Sequence, residues 1–303
     1  MIGFPMIRCS KCDKEAIIYQ RYSGQHLCRH HFTVDFETRA KRAIRKHHWI
    51  QSGDTIAVAI SGGKDSSALL HFLTRTFGKR PDLRIIALTI DEGIGGYRDP
   101  EVVTRLAASM GVDCYSASFQ EAYGLTMDKV VEKLGDRRSC SYCGVLRRQL
   151  LNRKARELGA TRLALGFNLD DDAQSVLMNV LRGDTERLLQ KMKPVPGMVP
   201  RIRPFTEIPE REVALYANLY VKDFEDAGCP YAHNALRADV RTHLNEYAYS
   251  HPATKFALVN LGEELRGLSQ DPDEEFTTCE SCGEPCYGGC RACQILDEVR
   301  GDG

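Results

Sequence analysis

Cys9 and Cys12 stand two residues apart in CSKC, and Cys28 and His31 repeat that gap in CRHH, fifteen residues further along. Two such pairs can chelate one tetrahedral ion, and zinc prefers thiolate and imidazole ligands. A segment this short has almost no core of its own, so metal binding would supply its folding energy. His30 competes with His31 as fourth ligand, but His31 keeps the two-residue gap; free thiols in a loose tail are the bland alternative. At the other end CESCGEPCYGGCRAC provides Cys279, Cys282, Cys290 and Cys293 as two CxxC knuckles, the spacing of a zinc ribbon. Cys286 is surplus to that four-ligand site.

Three further cysteines lie between these sets. Cys140 and Cys143 form CSYC before a long arginine-rich segment, and Cys229 follows a glycine in AGCPYA. Three thiolates without an evident fourth partner fit a [4Fe–4S] cluster with one open iron, able to hold sulfide. The same residues could instead form a persulfide-carrying cysteine with a resolving partner, or a structural zinc site completed by His233. Cys114, in VDCYSAS, reads as a packed thiol in a buried strand.

A different chemistry is written in SGGKDSS, which directly follows the apolar run TIAVAI and opens a helical pattern. Gly62 and Gly63 let the backbone approach an anion, the amides of the following helix point at it, and Lys64 adds a compact positive charge. Ser61, Asp65 and Ser66 complete the candidate phosphate and magnesium site. The spacing is not that of the Walker loop, so cleavage of a γ-phosphate is not indicated. Motif and context resemble the PP-loop of N-type ATP pyrophosphatases, which split ATP between its α and β phosphates and adenylate a substrate. Two more strand ends contribute: Asp91 closes RIIALTID, and Gly166 opens GFNLDDDAQS, whose Asp170, Asp171 and Asp172 fall in a first helical turn. Carboxylates there can offer oxygen ligands to magnesium, with Asp171 the candidate catalytic one, although Asp170 can also serve merely as an N-cap. The related enzymes read GHNLDDEAQ, so Phe167 receives no role and Asp172 only a weak one.

The elements that must position these residues alternate. Between residues 55 and 182, apolar β-branched runs (TIAVAI, RIIALTID, VDCYSASF, TRLALGF) are separated by helical periods (ALLHFLTRTF, PEVVTRLAASM, CGVLRRQLLNRKARELG, DDAQSVLMNVLRG). Such alternation predicts right-handed crossovers and a parallel sheet with ligands at the carboxyl ends of its strands. The fold class is therefore a doubly wound parallel α/β domain, like the adenine nucleotide alpha hydrolase-like PP-loop proteins, flanked by two zinc modules. Residues 35–50 read as a basic amphipathic helix. Five prolines between 187 and 210 predict a loop, and helices in REVALYANLYVKDFEDAG and in 236–268 are expected to pack against the sheet. The divisions are 1–34, a zinc finger; 35–210, the PP-loop domain; 211–272, a helical extension; and 273–303, a zinc ribbon.

Composition narrows the setting. The 303 residues carry 41 basic and 41 acidic side chains, so nucleic-acid binding must arise from uneven placement of charge. No apolar run reaches the roughly 20 residues of a membrane span, and the start has no secretory pattern, so a cytoplasmic protein is expected. There, twelve cysteines suggest metal or redox chemistry rather than disulfides.

Taken in order, CxxC and CxxH, SGGKDS, CSYCGVLRR, GFNLDDDAQ, GCPYA and the closing double CxxC resemble the tRNA 2-thiouridine synthetases of the TtuA group along nearly the whole chain. That resemblance implies ATP-dependent adenylation of a tRNA uridine O2, release of AMP and pyrophosphate, and sulfur insertion at C2. Position 34 is slightly favoured over position 54. It further implies ATP, Mg2+, two Zn2+ and a [4Fe–4S] cluster as cofactors. Free sulfide or a thiocarboxylated ubiquitin-like protein would be the donor, and the protein would be a homodimer. Arg137, Arg138, Arg147, Arg148, Arg201 and Arg203 are candidate contacts to the tRNA backbone, and the zinc modules can present unpaired nucleotides. A lysidine synthetase would share SGGKDS without needing Cys140, Cys143 and Cys229. A non-catalytic zinc RNA-binding protein would need neither these cysteines nor Lys64 and Asp65.

Overall fold

The structure, a computed structural model, describes residues 7–190, 195–225, 228–232, 236–268 and 276–301. Pro194, His233 and the 272/273 division lie outside them.

The chain opens with a hairpin of β1 (Ile18–Gln20) and β2 (Gln25–Leu27), turned at Gly24 with φ 68°. Helix α1 (Arg29–Lys46) follows. It starts inside the CRHH motif rather than at residue 35, because Cys28 already occupies its N-cap in extended conformation. Its buried stripe of Phe32, Phe36, Ala40, Ala43 and Ile44 recurs at helical spacing. On the basic side, Arg42 pairs with Glu207 at 2.7 Å and Lys46 with Glu263 at 3.5 Å.

The alternating region runs β3 (Thr55–Ala59), α2 (Lys64–Phe77), β4 (Arg84–Asp91), α3 (Pro100–Ser109), β5 (Asp113–Ser118), α4 (Phe119–Tyr123), α5 (Met127–Leu134), α6 (Ser139–Glu157), β6 (Arg162–Ala164), α7 (Leu169–Arg182), α8 (Thr185–Leu189) and β7 (Arg201–Ile202). Its five strands form one parallel sheet in the order β5-β4-β3-β6-β7. Strand β5 lies at the edge, so Cys114 is only partly buried there, and burial raises its thiol pKa. Ile56 and Val58 face α1, α2, α3 and the later α9 (Glu210–Tyr220). Ala57, Ile86 and Leu88 face α4, α5, α6 and, from the end of the chain, Ile295, Leu296 and Val299. The period of two sorts each strand between two apolar layers.

Helix α9 stops at Tyr220, short of the Gly228 limit expected from its period. The stretch expected to be helical from 236 to 268 is two helices, α10 (Leu236–Ser250) and α11 (Thr254–Leu268). They pack on α7 and α8 rather than on the sheet itself. The chain closes with β8 (Phe276–Thr278), β9 (Pro285–Tyr287) and α12 (Arg291–Arg300). No helix among the described residues is long and apolar enough to cross a membrane.

From β3 the chain winds through β4 to β5, then returns across the sheet to β6 on the other side of β3. The carboxyl ends of β3 and β6 therefore diverge, and a crevice opens between the turns that follow them.

Candidate functional site

Gly62 adopts φ 82°, which only glycine takes at no steric cost, and Gly63 caps α2 in extended conformation. Ser66 Oγ closes the loop on itself, accepting the Ser61 amide at 3.1 Å and donating to the Gly63 carbonyl at 3.1 Å. Lys64 Nζ stands 2.8 Å from Glu210 Oε1 and 3.0 Å from Asp65 Oδ2. Burial alone would lower the ammonium's pKa; the two carboxylates more than offset that and hold it above the ordinary lysine value. The cation is thus fixed at the helix N-terminus, where an anion is favoured.

The β6–α7 turn packs straight onto this loop. A Cβ on Gly166 would come within 3.0 Å of Asp65 C and Ser66 N, so the turn meets backbone with backbone. Asn168, not Asp170, caps α7. Its side chain accepts the Asp170 and Asp171 amides at 3.0 and 3.2 Å, while Asp171 accepts the Asn168 amide at 3.1 Å. Asn168 Nδ2 also reaches Asp65 Oδ1 at 3.4 Å.

The three acids then part company. Asp170 is held by Lys255 and the Glu210 amide, and Asp172 by Arg203 and Thr206. Asp171 is left toward Asp65, and among the described residues its only cation is Arg237 at 4.0 Å. Burial, with Asp65 and Glu210 adding repulsion, pushes Asp171 up to about 6, and burial also raises Asp65. Asp91 sits on the same sheet edge, and its carboxylate accepts the Gly93 amide at 2.8 Å, shaping the turn after β4.

Cys140 and Cys143 lie within the first turns of α6, not before it as the sequence suggested, and i, i+3 spacing puts them on one face. Cys229 arrives from the segment after α9. All three line a single cavity of about 300 Å³, with Glu92, Tyr97, Arg98 and Arg147 in its wall. Buried Glu92 joins Arg147 at 3.1 Å and Arg98 at 3.5 Å. Burial pushes the Cys143 thiol up to about 11 against the pull of Arg147. A bound metal centre would reverse that preference, since thiolates are its ligands. Unlike those of the terminal sets, these three sulfurs are not all within 4.8 Å of one another. The cavity is linked to the nucleotide loop, because Glu225, on the Cys229 segment, donates its amide to the Gly62 carbonyl at 2.9 Å.

Both terminal sets converge. The ligand atoms of Cys9, Cys12, Cys28 and His31 lie within 4.8 Å of one another, as do those of Cys279, Cys282, Cys290 and Cys293. Sulfur separations of 3.7 Å (Cys12–Cys28), 3.8 Å (Cys279–Cys293) and 3.6 Å (Cys282–Cys290) match the roughly 3.8 Å edge of a tetrahedron with metal–sulfur bonds of about 2.3 Å. His31 turns Nδ1 to Cys9 at 3.3 Å and to Cys28 at 3.5 Å. Cys286 stays outside its set, its Sγ 3.7 Å from Thr277 Oγ1.

The candidate RNA-contacting arginines separate as well. Arg147 and Arg203 are taken by Glu92 and Asp172, whereas Arg137, Arg138, Arg148 and Arg201 have no carboxylate partner among the described residues. Sequence reasoning overlooked Glu210, Asn168, Glu92, Arg98 and Tyr97. Glu92 alone carried a signal, as an acid directly following a strand at the ligand edge.

A parallel sheet with an anion-cradling glycine loop at its switch point defines a PP-loop nucleotide-binding protein. The family profile described as PP-loop domain matches residues 32–246, and that described as 2-thiouridine synthetase TtuA, N-terminal LIM domain, matches residues 8–33. The chain is 36% identical to the tRNA 2-thiolation protein NcsA of Haloferax volcanii, over 97% of this chain and 99% of that protein. It is also 36% identical to cytoplasmic tRNA 2-thiolation protein 1 of Drosophila sechellia, over 97% and 89%. The solved U34-tRNA thiolase NcsA from Methanococcus maripaludis, with its [4Fe-4S] cluster, superposes with a TM-score of 0.86 at 29% identity, over 99% of this chain and 98% of that one. The chain belongs to the PP-loop family of tRNA 2-thiolation proteins.

Proposed function

We propose that this protein is a tRNA sulfurtransferase that activates the O2 of uridine 34 with ATP and replaces it by sulfur. The observation that carries the reading is the convergence of Cys140 and Cys143 of α6 with Cys229 in one cavity, the Cys229 segment being hydrogen-bonded to the nucleotide loop through Glu225. The solved relative is a U34 thiolase, which favours position 34 over 54.

The loop amides and Lys64 bind the ATP phosphates, and Asp65 with Asp171 are the oxygen ligands available to Mg2+. Uridine O2 attacks the α-phosphorus and pyrophosphate leaves. Sulfur then adds to C2, and AMP departs with the former O2. A carbonyl oxygen is a poor leaving group and AMP a good one, so the two steps share one pocket. Cys140, Cys143 and Cys229 would hold the [4Fe–4S] cluster, which supplies, when bound, an iron with an open position for sulfide. Arg147 and Arg98, neutralised only in part by Glu92, give the cavity wall a positive balance suited to an anionic sulfur species.

The two terminal sets would each bind zinc. The donor is sulfide or a thiocarboxylated ubiquitin-like protein, and the active species is a cytoplasmic homodimer. Residues 35–210 form the PP-loop unit, the extension 211–272 adds Cys229 to its site, and 1–34 and 273–303 are the zinc modules.

The test is anaerobic purification with iron and sulfide analysis, followed by incubation with tRNA, ATP and sulfide and mass spectrometry of the tRNA. Iron near four per chain and a sulfur-for-oxygen gain at uridine 34 are expected. A colourless, iron-free protein that leaves tRNA unchanged under these conditions would overturn the reading.

A further inference from the structure

We infer that the cavity between α6, β7 and the C-terminal ribbon is a phosphodiester-binding site for the substrate RNA, with Arg148 and Arg201 as its cations; this rests on the tRNA-thiolation reading. The cavity, of about 360 Å³, is lined by Arg148 and Arg201 together with Gln149, Met198, Cys286 and Arg291. Other charges nearby are spoken for. Arg291 pairs with Glu298 at 3.2 Å, and Glu284, in the cavity wall, is turned to Arg156 and Asn152. No carboxylate among the described residues answers Arg148 or Arg201.

Two like charges held together without a counter-ion are unfavourable until an anion supplies one. Burial lowers the pKa of both guanidinium groups, and Arg201's charge lowers that of Arg148 further. Arg148 is also pre-set. It folds back along α6 so that Nη1 lies 3.0 Å from where a Cβ on Gly144 would stand, and buried Gly144 leaves that space open. Planar guanidinium groups bind phosphate oxygens in pairs.

Position links the site to the chemistry. Arg147 faces the cysteine cavity and Arg148 the present one, so α6 is the wall between them. An α-helix is on the order of 10 Å across. A strand anchored here by its phosphates can thus place a neighbouring nucleotide over the helix with its base turned into the cysteine cavity, the geometry required of enzymes that act on an extruded base.

The experiment is fluorescence anisotropy of labelled tRNA binding to anaerobically purified protein across a salt series, for wild type, Arg148→Ala/Arg201→Ala and Arg148→Lys/Arg201→Lys. The double alanine variant is expected to bind about tenfold more weakly at moderate salt, with the slope of log K against log salt reduced by about 1.5. The double lysine variant keeps a slope close to wild type, and zinc content and ATP binding are unchanged in both. Single Arg148→Glu provides the same readout if the double variant folds poorly. A double alanine variant with wild-type slope overturns the site. Wild-type protein that binds inorganic phosphate through these arginines but not tRNA overturns the RNA assignment. Wild-type tRNA binding that persists without any thiolation defeats the catalytic reading and leaves the site standing.

Discussion

Tyr231 donates its phenol to Asp128 Oδ1 over 2.6 Å, and the other oxygen of that carboxylate accepts the Gly95 amide at 2.9 Å. One side chain thereby ties the Cys229 segment to the loop after β4. The Tyr231 carbonyl meanwhile accepts from Cys140 Sγ at 3.7 Å and Ser139 Oγ at 3.5 Å, so the same residue touches the start of α6. The hydrogen bond to Asp128 is the main reason the phenol's pKa is pushed up to about 12, which keeps it a donor throughout the physiological range.

Asp128 is therefore a positioning residue for the third cysteine. A hydrogen bond to a charged group contributes about 1.5–3 kcal/mol, so Asp128→Ala should raise the open population of the Cys229 segment at least about tenfold. Iron per chain after anaerobic purification should fall, and the visible absorbance should bleach faster in air. Tyr231→Phe, which removes one of the two bonds, should lie between. Wild-type iron content and bleaching rate in Asp128→Ala would show that the segment is held by other contacts.

Gly166→Ala addresses the nucleotide side. The added methyl would meet Asp65 and Ser66 main-chain atoms at 3.0 Å, where no flexible side chain can yield. Overpacking of this kind typically costs about 1–3 kcal/mol, and relief comes from moving the first turn of α2 off the β6–α7 turn. ATP affinity, measured by calorimetry, should drop about tenfold or more, while the two terminal metal sites stay loaded. Unchanged affinity would mean that the two turns can separate without disturbing the loop.

Much of this was legible in the sequence because local chemistry and local structure coincide. SGGKDSS names its own turn and helix start, and the paired ligands at each end need only a hairpin or a helix to close. What stayed hidden depends on residues distant in the chain. That Glu210 meets Lys64, that Asp170 is neutralised by Lys255, and that Asp128 holds Tyr231 all follow from how α9, α11 and α5 pack, which no spacing rule encodes. The helix N-cap was misplaced for a related reason. Asn and Asp cap equally well, so NLDDD offers several registers, and contact with Asp65 and Ser66 selects Asn168.

Asp171 carries a pH signature. In the folded chain its pKa is pushed up to about 6, above the ordinary 3.8 of an exposed aspartate in an unfolded chain, because burial favours the protonated acid. Below pH 3.8 both states hold the proton and the group is neutral toward stability. Between 3.8 and 6 the unfolded state releases its proton first, so stability falls as pH rises, and above 6 the penalty is constant. In magnesium-free buffer, Asp171→Asn should then raise Tm at pH 7.5 by a few degrees and leave it unchanged near pH 3.5, while Mg-ATP binding weakens. Scanning calorimetry at the two pH values checks this, and a gain of equal size at both would remove the ionisation argument.

The two terminal metal sites should fail differently because they are packed differently. Cys9 and Cys28 are buried within the large apolar layer that includes Phe32 and Phe36. Burial works against the Cys9 thiolate, but amide hydrogen bonds from Cys28 and Lys11, with His31 and Cys28 side chains, bring its pKa down to about 6, ready for a metal near neutrality. Cys9→Ser should therefore remove one zinc and lower the main unfolding transition by at least about 3 °C, the effect of roughly 2 kcal/mol in a chain of this size. Cys282 and Cys290 border the ribbon, where Gln149 Nε2 donates to them at 3.5 and 3.7 Å, while α12 is anchored separately by Ile295, Leu296 and Val299. Cys282→Ser should remove the other zinc with a smaller thermal shift. Neither substitution should change iron per chain, which elemental analysis reads directly. Loss of iron with Cys282→Ser would mean that the ribbon supports the cysteine cavity through α6, and the two sites would then have to be treated as one cooperative unit.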